Sequence, residues 1–310
     1  EDAFGVSIGN ERVGLYSSTE VRGFSPITAG NIRLEGLYID RPAAFTDRLV
    51  ASNVVRVGLA AQNYLFPAPT GVVDYRVRPA GDRPLLSVMG GYGPMGGGRL
   101  ELDGQAPLAP RLGIVAGAAV FRDEYASGSD ADLASYAVAL RWRPTENTLV
   151  LPFWSRVDTW DREATPIYLA APGVVPPKVA RRRDMGPGWA DYRNVATNYG
   201  VLGRTVLPGE VRLAAGVFRS DNDMRENHAH LLSDLRADGS ARRRITRDPA
   251  QGLASTSGEI RLSRVFAEGP RIHNVHLSIR ARERTGRYGG GASVDYGAAT
   301  LSGVLDAAEP

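Results

Sequence analysis

The sequence predicts a small mixed α/β domain followed by antiparallel, up-and-down strands of a transmembrane β-barrel, too few to close the barrel. Three observations carry this. From residue 83 onward, extended segments recur at about the 9–11 residues that a tilted strand needs to cross a bilayer. The clearest of them alternate apolar and polar residues with period two. The connections alternate as well, short turns with long polar links. That pattern places all the tight turns at one end of the strands and all the long links at the other.

Composition narrows the alternatives. Hydrophobic residues make up 43% of the 310 residues, yet no window reaches the 18 or more apolar residues of a membrane-crossing helix. Only helical membrane proteins are excluded by this. Cysteine is absent, which rules out disulfides and thiolate-held metals. Basic residues number 37 against 34 acidic ones, and Lys178 is the only lysine. Arginine and acid alternate along the chain instead of clustering, so no nucleic-acid partner is expected. Glu1 follows no initiator Met or signal peptide, and Pro310 closes directly on a strand-like run. The chain is therefore expected to be a piece of a longer one.

Residues 1–79 form the first domain. Val21-Arg22-Gly23-Phe24 ends one short strand, and residues 31–39 alternate as another, interrupted around Gly36. Thr46 supplies a capping oxygen for a brief helix over Thr46-Asp47-Arg48-Leu49. Residues 54–57 and 72–77 read as strands.

Residues 80–310 hold about ten barrel strands by their alternation: 85–92, 99–105, 112–122, 133–143, 148–160, 198–206, 211–220, 259–266, 272–284 and 292–301. In 272–284 one face carries Val275, Leu277, Ile279 and Ala281, and the other Asn274, His276, Ser278, Arg280 and Arg282. In 133–143, Tyr136, Val138, Leu140 and Trp142 oppose Ser135, Ala137, Ala139, Arg141 and Arg143. An apolar stripe with aromatic ends suits lipid, and arginine on the opposite face suits a wet lumen. Short connections at 107–111, 144–147, 207–210 and 267–271 alternate with long ones at 161–197 and 221–258. Soluble sandwiches seldom keep that asymmetry.

The order of motifs in the first domain resembles the plug of TonB-dependent outer-membrane receptors. Val21-Arg22-Gly23-Phe24 is similar to the family's Arg-Gly-Phe strand end. Leu34-Glu35-Gly36-Leu37-Tyr38-Ile39-Asp40 follows at the family's spacing, then Val54-Val55-Arg56-Val57-Gly58, then Gly71-Val72-Val73-Asp74-Tyr75-Arg76-Val77-Arg78-Pro79. The resemblance covers about sixty residues, and the barrel-type strands begin directly after it. Three features depart from the family. Leu59 stands where the family has Pro, the segment that contacts the energy-transducing partner would precede Glu1, and family barrels have about 22 strands.

The resemblance implies a transporter without covalent catalysis in the bacterial outer membrane, surrounded by its lipid. It would be energised by a TonB-type partner through that preceding segment. Its ligand would be a ferric siderophore or another small nutrient, so any iron belongs to the cargo and no cofactor is expected. Ligand contacts would fall on the apical turns of the plug, at Arg12, Ser25, Thr28, Arg41 and Phe45. From the residues alone, Arg181, Arg182 and Arg183 with Trp189 in the first long link suit either an anionic ligand or lipopolysaccharide phosphates. The other function class open to these strands is a passive structural or adhesive β-protein whose loops bind a surface partner.

Catalytic and metal readings are weaker. Gly5-Val6-Ser7-Ile8-Gly9 fits a hydrolase nucleophile elbow, but no helix pattern follows it. His273 and His276 fall on opposite faces of a strand. His228 and His230 share a face in an extended link, where a solvated loop explains them better than a metal would.

Overall fold

The computed structural model describes residues 6–8, 25–57, 61, 65, 71–93, 95–179, 181–182, 186–248, 250–301, 303, 305 and 308–309. Val21-Arg22-Gly23-Phe24 and Gly58 lie outside the described residues. Two sheets organise the chain, and strands make up 69% of the described residues.

The smaller sheet contains β1 (Val6–Ile8), β2 (Ile32–Leu34), β3 (Leu37–Tyr38), β4 (Val50–Arg56) and β5 (Val72–Val77), in the order β1-β4-β5-β2-β3. Ser7 therefore sits within a strand. β2 pairs parallel to β5, and the other pairs are antiparallel. Two sequence expectations change here. Residues 31–39 form a hairpin instead of one interrupted strand, because Glu35 (φ 52°) and Gly36 (φ 85°) both take left-handed backbone, as a two-residue primed turn requires. The strained Glu35 is held by its N–H to Tyr75 O at 2.8 Å and by Val77 N–H to its Oε1 at 2.9 Å. The brief helix at 46–49 is a single turn. Thr46 O accepts from Leu49 and Val50 N–H at 3.0 and 3.2 Å, and Thr46 Oγ1 accepts from Arg48 N–H at 3.1 Å. β4 begins at once, so the costly first turn has nothing to propagate into.

The larger sheet follows β6 (Leu85–Tyr92), β7 (Gly98–Ala109), β8 (Leu112–Glu124), β9 (Asp130–Thr145), β10 (Thr148–Glu163), β12 (Asp191–Leu207), β13 (Val211–Leu235), β15 (Gln251–Glu268) and β16 (Arg271–Arg287). These nine strands, one fewer than expected, pair antiparallel to their chain neighbours. Between them lie β11 (Ile167–Ala170) and β14 (Ser240–Asp248), and β17 (Ala292–Thr300) comes last. Residues 292–301, expected as a further barrel strand, instead pair with β14, which itself pairs with the outer part of β13. The long link at 221–258 is likewise largely strand, and the one at 161–197 holds β11 and the start of β12. β13 runs for 25 residues, well past a bilayer crossing, because ladder hydrogen bonds need no apolar side chains.

The sheet has an inner and an outer face. The outer one carries Val150, Val201, Val217, Ile260, Leu277 and Ile279, with Trp154 opposite Tyr199 in register. The inner one packs Ala137, Ala139, Leu151, Phe153, Leu202 and Phe218 against Ile32, Leu34, Leu37, Phe45 and Tyr75 of the small sheet. Gly216 permits this approach, since a Cβ there would lie 3.1 Å from Leu37 Cδ1. Phe218 is 1% exposed and meets Phe153 at 6.1 Å between ring centroids. Phe218→Ala is expected to cost about 3–5 kcal/mol, read as a lower denaturant midpoint of the full-length protein in detergent. Tyr199→Ala on the outer face should cost far less, and equal losses would contradict the assignment of faces.

Candidate functional site

The hairpin β2–β3 leaves one edge of β3 unpaired, and an orphaned backbone N–H in a dry interface is costly. The wall strand β15 satisfies that edge with side chains at alternate positions, all on its inner face. Tyr38 N–H donates to Glu259 Oε2 at 2.7 Å, and Asp40 N–H donates to Ser257 Oγ at 2.9 Å. Ser255 Oγ donates to Asp40 Oδ2 at 2.7 Å, and Arg261 Nη2 donates to Gly36 O at 3.2 Å. Glu259 also accepts from Ser278 Oγ at 2.8 Å and meets Arg280 Nε at 3.3 Å. Farther along the same stretch, Ala43 N–H donates to Ser220 Oγ at 3.1 Å and Asn198 Nδ2 to Ala44 O at 3.0 Å.

A second set of charges ties the small sheet to β7 and β9. Arg48 reaches Glu101 at 2.6 Å and also pairs with Asp103, which Arg78 meets at 3.0 Å. Arg141 lies 3.9 Å from Glu35. Burial raises the Asp74 carboxyl against the opposing pull of Arg76, and that carboxylate still accepts Gly36 N–H at 2.8 Å. Residue by residue, these wall groups escape a sequence reading. Their collective signal, charge on the face opposite the apolar stripe, had pointed only to a wet lumen. The inner-face charges instead meet the small sheet.

The expected ligand contacts separate into accessible and inaccessible ones. Thr28 is exposed in the turn after Ser25, whose Oγ accepts Thr28 N–H at 3.2 Å. Arg41 and Phe45 are not apical but buried, at 5% and 9% exposure. The Arg41 guanidinium lies 4.9 Å over the Phe45 ring and 4.8 Å over Tyr75, a stack that a planar cation favours. Burial lowers its pKa. Arg12 and Arg183 lie outside the described residues. Arg181 and Arg182 are exposed, and Arg182 is anchored by its N–H to Ala126 O at 2.9 Å and its guanidinium to Met95 O. The link thus crosses the β6–β7 and β8–β9 connections. Trp189 is edge-on to His228 at 5.6 Å.

His228 and His230 are both buried on outer β13. His228 Nδ1 meets Asp191 O at 2.8 Å. Neither nitrogen of His230 has a hydrogen-bond partner among the described residues, where no group of three metal-type side chains occurs either. His276 Nδ1 meets Ser263 Oγ at 2.8 Å, while His273 stacks on Phe266 at 5.1 Å.

No family model matches the chain, and no curated protein matches its sequence. Solved structures share its fold. The P. aeruginosa protein FpvA, solved bound to heterologous pyoverdines, aligns with TM-score 0.72 at 15% identity over 93% of this chain and 39% of that one. The ferric-catecholate import receptor Fiu of E. coli, in its closed form, aligns with TM-score 0.72 at 13% identity over 98% and 46%. The siderophore receptor PiuA of Acinetobacter baumannii aligns with TM-score 0.64 at 14% identity over 91% and 42%. The chain spans less than half the length of each of these. At such identities the likeness establishes the fold, a small plug-like sheet seated on the inner face of incomplete barrel strands.

Burial, with Arg243 adding to it, pushes the His230 imidazole down to about 4 from 6.5. The unfolded imidazole therefore takes a proton first as pH falls. The stabilisation from neutral His230 is complete above the ordinary histidine value and is lost as pH drops through the window down to about 4. The expected loss is about 2–3 kcal/mol in local stability. It would be read as faster amide exchange in β13 and β14 at low pH, corrected for intrinsic rates. His230→Leu should abolish the pH dependence, and an unchanged dependence in that variant would contradict the assignment.

Proposed function

We propose that this chain is the later part of the plug and the first strands of the barrel of an outer-membrane receptor, energised by a TonB-type partner, that takes up a scarce nutrient in the form of a ferric siderophore. One observation carries this reading: the small sheet is docked by side chains, apolar from β9, β10, β12 and β13 and polar from β15, onto the inner face of an antiparallel sheet whose outer face is apolar. A sheet apolar on its outside needs lipid there, and the small sheet inside is held by an apolar contact with β9, β10, β12 and β13 and by hydrogen bonds and ion pairs with β15. The fold shared with siderophore receptors supports the same reading.

Nothing in such a process makes or breaks a covalent bond. Ligand arrives at the end of the strands with the long connections, and a pull on the plug from the tight-turn end opens a path beside it. Among the expected contacts, accessibility favours Thr28, Arg181 and Arg182 for capture. Arg41 and Phe45 instead fix the shape of the plug beneath them, and Trp189 seats the first long link on β13.

Each charge-assisted hydrogen bond to an anionic chelate contributes about 1.5–3 kcal/mol. Arg181→Ala with Arg182→Ala is therefore expected to weaken ferric-siderophore binding by roughly tenfold or more. Affinity is to be measured on the full-length protein in detergent across catecholate, hydroxamate and carboxylate siderophores. Arg225→Ala, on outer β13, serves as control. Binding of no ferric chelate by the unaltered protein would overturn the receptor reading. Equal affinity in both variants would remove the two arginines from the site.

A further inference from the structure

The contact between Asp40 and β16 has a feature that docking alone does not require. β16 presents Arg280, Arg282 and Arg284 to the inner face at every second residue, so the guanidinium groups climb the wall at about 7 Å intervals toward the long connections. Arg280 is engaged with Glu259 at 3.3 Å. The other two share one carboxylate: Arg282 lies 3.7 Å from Asp40 Oδ1, and Arg284 lies 4.0 Å from Asp40 Oδ2. Neither contact is a hydrogen bond at that length. Asp40 Oδ1 accepts no hydrogen bond among the described residues, and Oδ2 is served by Ser255.

The two partners of this contact differ in exposure. The Asp40 side chain is 0% exposed, whereas those of Arg282 and Arg284 are 47% and 38% exposed. Counting Arg261 and Arg280, four guanidinium groups face the two carboxylates Glu259 and Asp40. The wall thus carries excess positive charge with donors turned to solvent. The plug carries a buried carboxylate held only loosely by them.

We propose that Arg282 and Arg284 form a site for an anionic group, carboxylate or catecholate-like, and that an anion bound there competes with Asp40 for the same two guanidinium groups. Resting on the receptor reading, this deepens it. The arriving chelate meets Arg284 first and then Arg282, forming the short bidentate bonds that arginine makes with planar anions. Asp40 then loses its countercharge while remaining buried, which is costly. The stretch 36–40 is the part of the plug that β15 and β16 hold, so its hold weakens when the site fills. Ligand arrival and plug loosening are coupled through one shared pair of arginines, in the sense that one equilibrium is biased by both partners.

The test measures amide exchange of residues 36–40 in the full-length protein in detergent. The probe is citrate, compared with chloride at matched ionic strength. Citrate is expected to speed exchange there at least threefold and to leave β4 unchanged. Arg282→Gln with Arg284→Gln should show the faster exchange without citrate and no response to it. Asp40→Asn, which removes the competitor, should bind citrate several-fold more tightly than the unaltered protein. Overturning results are exchange in the unaltered protein that is equal in citrate and chloride, or a double variant that still responds to citrate. Citrate insensitivity alongside intact ferric-chelate binding would remove this coupling and leave the receptor reading standing. Absence of all ferric-chelate binding with citrate sensitivity retained would do the reverse.

Discussion

The structure depends on how one short, unpaired strand edge is satisfied. β3 has two residues, and its free side faces the wall of the larger sheet. A buried carboxylate, Glu259, and Ser257 accept the free N–H groups of Tyr38 and Asp40, and Arg261 donates to Gly36 O. Placing Glu259 and Asp40 at 0% side-chain exposure is unfavourable unless the charge is matched. Arg261, Arg280, Arg282 and Arg284 match it from the same wall. Removing one partner of such a pair typically costs about 3–5 kcal/mol, so these positions hold the register between two otherwise separate sheets.

That arrangement works only because the wall strands keep strict period two. Ser255, Ser257, Glu259 and Arg261 share the inner face of β15, while Ile260 and Leu262 share the outer one. A slip of one residue would turn Glu259 to lipid and Ile260 to the plug. The outer face grades along the strands from aliphatic residues to the Trp154–Tyr199 pair. Beyond it comes the ion pair Arg156–Asp158 at 2.7 Å, and Arg219, in register with Tyr199, pairs with Asp221 at 2.8 Å. The order apolar, aromatic, charged is that of a bilayer and its interface.

Much of this was legible in the sequence because alternation is a local signal. Residues 72–77 and 85–92 coincide with β5 and β6, and the face assignments in 133–143 and 272–284 hold along β9 and β16. Long-range determinants were not legible. Tyr38 and Glu259 are 221 residues apart, and nothing near either one announces the other. Arg41 was placed at an apex of the plug by the resemblance alone. Its burial depends on Phe45 and Tyr75 closing over it. The link at 221–258 reads as a loop because its residues are polar, although backbone pairing carries β13 and β14 through it. At 292–301 the strand was legible but its partner was not, since pairing with β14 skips the neighbour in sequence.

Residues 36–44 are docked on the inner face of the wall in a fixed register. The chain contains no native cysteine, so a cross-link reports on it without background. Ala43→Cys with Ser220→Cys, placed where Ala43 N–H and Ser220 Oγ lie 3.1 Å apart, should form a disulfide on mild oxidation in isolated outer membranes. Ala43→Cys with Arg219→Cys, whose wall position faces outward, should not. Failure of the first pair to cross-link, or equal cross-linking of both, would contradict the docking from which the rest of this account follows.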